Sequence, residues 1–87
     1  MHGMQPIRLS RHAQERLCDR GATEDEVAEA FRTAPGAPAG AQRFECQKDF
    51  PYGSEWNGRF YATKRVRPIF VEEPNEIVVI PVNVYYL

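Results

Sequence analysis

Apolar positions recur with a helical period in the first third of this chain and with a strand period beyond it. Leu9, Ala13 and Leu17 fall on one face at about 100° per residue, and Ser10 before them is a natural N-cap. These features predict a helix over 11–19, closed by Gly21 as the left-handed residue past its last turn. Val27, Ala30, Phe31 and Ala34 predict a second helix, opened by the capping box Thr23-Glu24-Asp25-Glu26 and stopped by Pro35. Residues 34–41, Ala-Pro-Gly-Ala-Pro-Ala-Gly-Ala, read as a breaker-rich connection. Strands are expected over 43–47, 59–64, 66–72 and 76–86, with 50–58 a turn-rich loop between the first two. Pro74-Asn75 predicts an antiparallel hairpin of the last two strands. Pro68 and Pro81 each imply an edge or a bulge, because proline cannot donate to a ladder.

The expected architecture is a single α+β domain of residues 1–87, with residues 1–6 a loose N-terminus. Its two N-terminal helices pack on a small, mostly antiparallel, three- to four-stranded sheet. Leu9, Leu17, Val27, Phe31, Phe60, Phe70, Ile77 and Val79 are its expected core. Leu17→Ala or Phe31→Ala should then cost about 2–5 kcal/mol.

Composition narrows the function classes. Apolar residues make up 43% of the 87, enough to fold, yet no apolar run approaches the roughly 18 that a membrane-spanning helix needs. Cys18 and Cys46 provide neither a disulfide framework nor zinc spacing, and no cofactor or metal is implied. The expected location is the cytoplasm. A net charge of −1 counts against a protein that coats nucleic acid. The charge is nevertheless segregated: Arg8, Arg11, Arg16 and Arg20 precede an acidic stretch of Glu24, Asp25, Glu26 and Glu29. Glu24, Asp25 and Glu26 suit the start of the second helix and need no catalytic explanation.

His12, Arg16 and Arg20 form a stripe beside the buried face of the first helix, a plausible place for chemistry on a phosphate. The pattern Ser10, His12, Ala13, Arg16, then Arg20-Gly21, then Thr23-Glu24-Asp25-Glu26-Val27 resembles a bacterial domain-of-unknown-function family numbered 4258. The resemblance covers residues 9–31 and extends to the RelE- and BrnT-type toxins of the barnase-like ribonuclease superfamily. It implies a RelE/barnase-like fold and a metal-independent endoribonuclease, the toxic half of a bacterial or phage toxin–antitoxin pair. RNA and a cognate antitoxin would be its partners. Members of that family finish on isoleucine-threonine-valine-tyrosine; here Pro81 stands where the threonine would fall.

Metal-free RNA cleavage needs a base, an acid and cations for the charged phosphorane. On that reading His12 is the acid or base, Arg16 the phosphate clamp and Tyr85 an assisting catalytic group. Arg20, Arg59, Lys64 and Arg67 would bind the substrate. Lys64 and Arg65, adjacent on a strand, cannot both line one groove. Tyr52 and Trp56 are better explained as a lid on the core edge than as base-stacking platforms. The alternative is a non-catalytic interaction or inhibitor module on the same fold, favoured by Pro81 and by the modest charge. Convergence of His12, Arg16 and a strand cation in one cleft would support the enzyme. Their dispersal would support the module.

Overall fold

The computed structural model describes residues 5–87. His2 lies outside the described residues. The chain runs β1 (Ile7–Leu9), α1 (Arg11–Asp19), α2 (Glu24–Thr33), β2 (Ala37–Pro38), β3 (Phe44–Glu45), β4 (Lys48–Trp56), β5 (Arg59–Glu72) and β6 (Ile77–Tyr86). Both helices begin as their sequences dictate. The Ser10 hydroxyl accepts from the Ala13 amide, and Thr23 and Glu26 form the reciprocal capping box. Gly21, at φ +76°, follows α1 in the left-handed region.

The sheet corrects the expectation of three or four mostly antiparallel strands. It is a mixed, six-stranded sheet in the order β1-β6-β5-β3-β2, and β4 also pairs with β5. Two features enlarge it. Pro6 is not loose, since the Ile77 amide donates to its carbonyl at 2.8 Å, and β1, a strand the sequence did not predict, lies parallel to β6. The supposed loop over 50–58 is mostly strand, because β4 and β5 form a hairpin through Asn57-Gly58. Asn57 and Gly58 have φ +52° and +82°, the positive values that a two-residue hairpin turn requires. Pro51 is tolerated on β4 because, among the described residues, that strand pairs on one side only. A register shift between Pro51 and Ser54 takes up Gly53, whose φ is +57°.

β5 and β6 form the expected antiparallel hairpin, and β5 is one continuous strand from 59 to 72 rather than two. The irregularity implied by Pro81 is present. Pro68 pairs with Val82 but Phe70 with Val79, so β6 carries one extra residue there. The bulge flips the parity of β6, so Val79 and Val82 are both buried against the helices. They pack with Leu9, Ala13, Leu17, Ala22, Val27, Ala30, Cys46, Val66 and Phe70, while Phe31 and Ile77 are only partly buried. Phe60 is 64% exposed, contrary to expectation. It pairs with Glu55 next to the Asn57-Gly58 turn, at the tip of the β4–β5 hairpin.

Candidate functional site

The expected site residues fall into separate places. Arg20 and Lys64 meet at the α1–α2 turn, where both are used by the fold. The Lys64 ammonium donates to the Gly21 carbonyl at 2.9 Å and lies 2.8 Å from the Glu26 carboxylate, with its side chain only 9% exposed. The Arg20 guanidinium donates to the Val82 carbonyl at 2.8 Å. Tyr86 donates its phenol to the Arg20 carbonyl at 2.8 Å. Around the Tyr86 ring stand Trp56, stacked at 4.6 Å between centroids, and Tyr52 and Tyr61, at 5.1 and 5.8 Å. Burial, then the neighbouring Tyr52 and Glu26, push the Tyr86 phenol up to about 12. Trp56 and Tyr52 therefore act as the lid expected of them, closing over a turn whose backbone carbonyls are tied to the sheet.

Arg67 and Tyr85 lie on the other face of the sheet, which no helix covers among the described residues. The Arg67 guanidinium sits 5.0 Å from the Tyr85 ring centroid and donates to the Gln47 amide oxygen through two nitrogens, at 3.0 and 2.8 Å. Arg65 shares this face and pairs with Asp49 through two bonds of 2.7 and 3.1 Å. The bonded guanidinium holds the Asp49 carboxyl below its ordinary value. Lys64 and Arg65 thus point to opposite faces, as strand geometry demands. Ile69, Val71, Val78 and Ile80, all half-buried, continue this face away from the arginines.

His12 and Arg16 lie exposed on α1, and among the described residues neither side chain makes a hydrogen bond or ion pair; Glu15 pairs with Arg11 instead, at 3.7 Å. Arg59 is exposed at the hairpin tip. His12 and Arg16 are therefore on the helical layer, Arg67 and Tyr85 beyond the sheet, and Arg20 and Lys64 committed between them. Among the described residues, no single cleft collects an imidazole, a phosphate clamp and a strand cation. Two shallow cavities of about 330 and 370 Å³ open near the end of α2, and Cys46, Ala34 and Pro35 line both. Neither is lined by an expected site residue. Burial and the nearby Glu45 raise the Cys46 thiol to about 11, which keeps it protonated at neutral pH.

The open face itself was missed in the sequence. Its signal was the alternation along 63–71, in which Arg65, Arg67, Ile69 and Val71 share one parity. No group of three or more histidine, cysteine or acidic side chains among the described residues is placed to hold a metal ion. No helix among them is long and apolar enough to cross a membrane. No family model, curated protein or solved structure matches the chain.

Proposed function

We propose that this protein is a non-catalytic interaction module whose partner is another protein, bound on the open face of the sheet. The observation that carries this reading is the make-up of that face. Its apolar half, Ile69, Val71, Val78 and Ile80, adjoins a polar half in which Arg65 is balanced by Asp49 and Arg67 is held by neutral Gln47. An RNA-binding face needs an excess of cations. This face suits a protein segment that offers apolar side chains to the valines and isoleucines and a carboxylate to Arg67. The dispersal of the expected catalytic groups supports the same reading, as does Pro81 at the β6 bulge. Two free cysteines, one exposed and one buried, are consistent with a reducing compartment, and we place the protein in the cytoplasm.

A metal-independent ribonuclease of the toxin type is the second reading. His12 and Arg16, exposed one turn apart without partners among the described residues, favour it, as does the resemblance of residues 9–31 to the toxin-like family. One set of measurements separates the two. The protein is expressed alone and assayed for growth arrest and for RNA cleavage with a chelator present. It is then co-expressed with the product of the adjacent reading frame. The module reading expects no cleavage and a stable complex. Val78→Asp, beside its cross-strand neighbour Val71, should weaken that complex at least tenfold with the fold retained. Cleavage by the wild type, or a complex indifferent to Val78→Asp, overturns it.

A further inference from the structure

The outer edge of β6 changes character along its length. The amides of Thr63 and Leu87 bond each other's carbonyls, so the backbone groups of Leu87, Tyr85 and Asn83 face β5. Those of Tyr86, Val84 and Val82 therefore face outward. Further back, this edge is fully used. β1 covers Ile77 to Val79, the Ser10 amide donates to the Val79 carbonyl at 2.8 Å, and the Ser10 hydroxyl donates to the Ile80 carbonyl at 2.9 Å. Arg20 takes the Val82 carbonyl. Beyond that point nothing among the described residues bonds the outward groups of Val84 and Tyr86.

Sheet edges left open are ordinarily blunted by charge, proline or bulges. The edge strand β4 has all three: Lys48 and Asp49, Pro51, and the register shift at Gly53. The run Val82-Asn83-Val84-Tyr85-Tyr86-Leu87 has no charge, no proline and no irregularity. Its flank does carry charge. Arg20 reaches this edge, and Arg16, one turn earlier on the same stripe of α1, is exposed without an ion partner among the described residues. Two copies of the chain joined here would set these arginines against each other.

We propose that the outer edge of β6 over 82–86 accepts an extended, acidic segment of a partner protein as an added strand. Main-chain bonds to Val84 and Tyr86, and to the Val82 amide, would supply affinity. Carboxylates against Arg16, and against the exposed parts of Arg20, would select the sign of charge. The edge is distinct from the open face, so this inference does not rest on the proposed function and either can fail alone.

The test uses the isotopically labelled full chain and three ten-residue peptides at millimolar concentration. One alternates β-branched residues with glutamate; a second replaces glutamate by lysine; a third is the acidic peptide with alternate amides N-methylated. The acidic peptide should slow hydrogen exchange of the Val84 and Tyr86 amides at least tenfold. The lysine and N-methylated peptides should not. Arg16→Glu, at an exposed site where the side chain has no partner among the described residues, should weaken acidic-peptide binding at least fivefold while the chain stays folded at the assay temperature, its midpoint lowered only by the loss of a cation from the last turn of α1. Val78→Asp should leave peptide binding unchanged. Unaltered exchange at Val84 and Tyr86, equal protection by the lysine or N-methylated peptide, or indifference to Arg16→Glu overturns the proposal.

Discussion

The C-terminal cap of α1 and the exposed stripe of that helix are built from the same residue types and do different work. At its C-terminal end, Arg20 and the turn after it are held from four directions. The Arg20 side chain bonds Val82, its carbonyl takes the Tyr86 phenol, the Gly21 carbonyl takes Lys64, and Lys64 also pairs with Glu26. Along the exposed stripe that leads to it, the side chains of His12 and Arg16 are bonded to nothing among the described residues. Buried polar groups are affordable only when satisfied, so the cations at the closed end must serve the fold. Exposed charges carry no such obligation and stay available to a partner. A basic side chain's role here is decided by depth, not by its position in a motif.

Breaking the closed end should give the largest effect. Lys64→Ala removes the partner of Glu26 and the donor to Gly21 beneath the aromatic lid. Loss of one member of a buried ion pair should cost about 3 kcal/mol, the low end of the usual range because Glu26 retains its capping bond to the Thr23 amide. Urea titration measures it, and a loss under about 1 kcal/mol would mean the pair is solvated. Gly21→Ala comes next. Its Cβ would lie 2.7 and 2.8 Å from Trp56 ring carbons and closer still to the Tyr86 oxygen, at a φ that alanine disfavours. The expected cost is about 2 kcal/mol, with Trp56 fluorescence altered in the folded state.

Tyr86 gives a smaller, pH-dependent effect. Its phenol titrates near 12 in the fold and near the ordinary 10 in the unfolded chain. The native state therefore holds a proton that the unfolded state gives up. The contribution is complete below about pH 10 and is lost as pH rises toward 12. Tyr86→Phe should remove this alkaline dependence and cost about 1 kcal/mol at neutral pH, through the lost bond to the Arg20 carbonyl. Tyrosinate absorption should show one phenol ionising late in the wild type and none in the variant. If the variant keeps the late-ionising group, the perturbed phenol belongs to another tyrosine.

Local chemistry was legible in the sequence, and long-range chemistry was not. The caps at Ser10 and Thr23, the turn at Gly21, the bulge at Pro81 and the β5–β6 hairpin each depend on a few adjacent residues whose conformational preferences are strong. β4 was hidden because Pro51 and Gly53 are strand breakers except on a free edge at a bulge, and that context exists only once β5 has paired. Asn57-Gly58 was the available clue. β1 is three residues long, too short for any period to register. Of the expected site, strand alternation was enough to separate Lys64 from Arg65. Nothing local could reveal that Lys64 would meet Gly21, or that Arg20 would reach Val82, since those contacts span 43 and 62 positions along the chain.

The smallest expected effect on stability is also the sharpest on function. His12→Ala and Arg16→Ala should each stay within about 0.5 kcal/mol of the wild type, because neither side chain is buried or bonded among the described residues. Their stability is thus separable from whatever else they do, which is untrue of Arg20 or Lys64. A general acid or base contributes about 100- to 10,000-fold to a rate. If the wild type cuts RNA in the presence of a chelator and either variant loses that activity at unchanged stability, the exposed stripe of α1 is catalytic and the interaction reading falls. If the wild type cuts nothing, His12→Ala should be silent. Arg16→Ala should then register only as weaker binding of an acidic strand, less than Arg16→Glu produces, since it removes an attraction without adding a repulsion. An Arg16→Ala effect equal to that of Arg16→Glu would mean that the arginine acts through its shape or hydrogen bonds rather than through its charge.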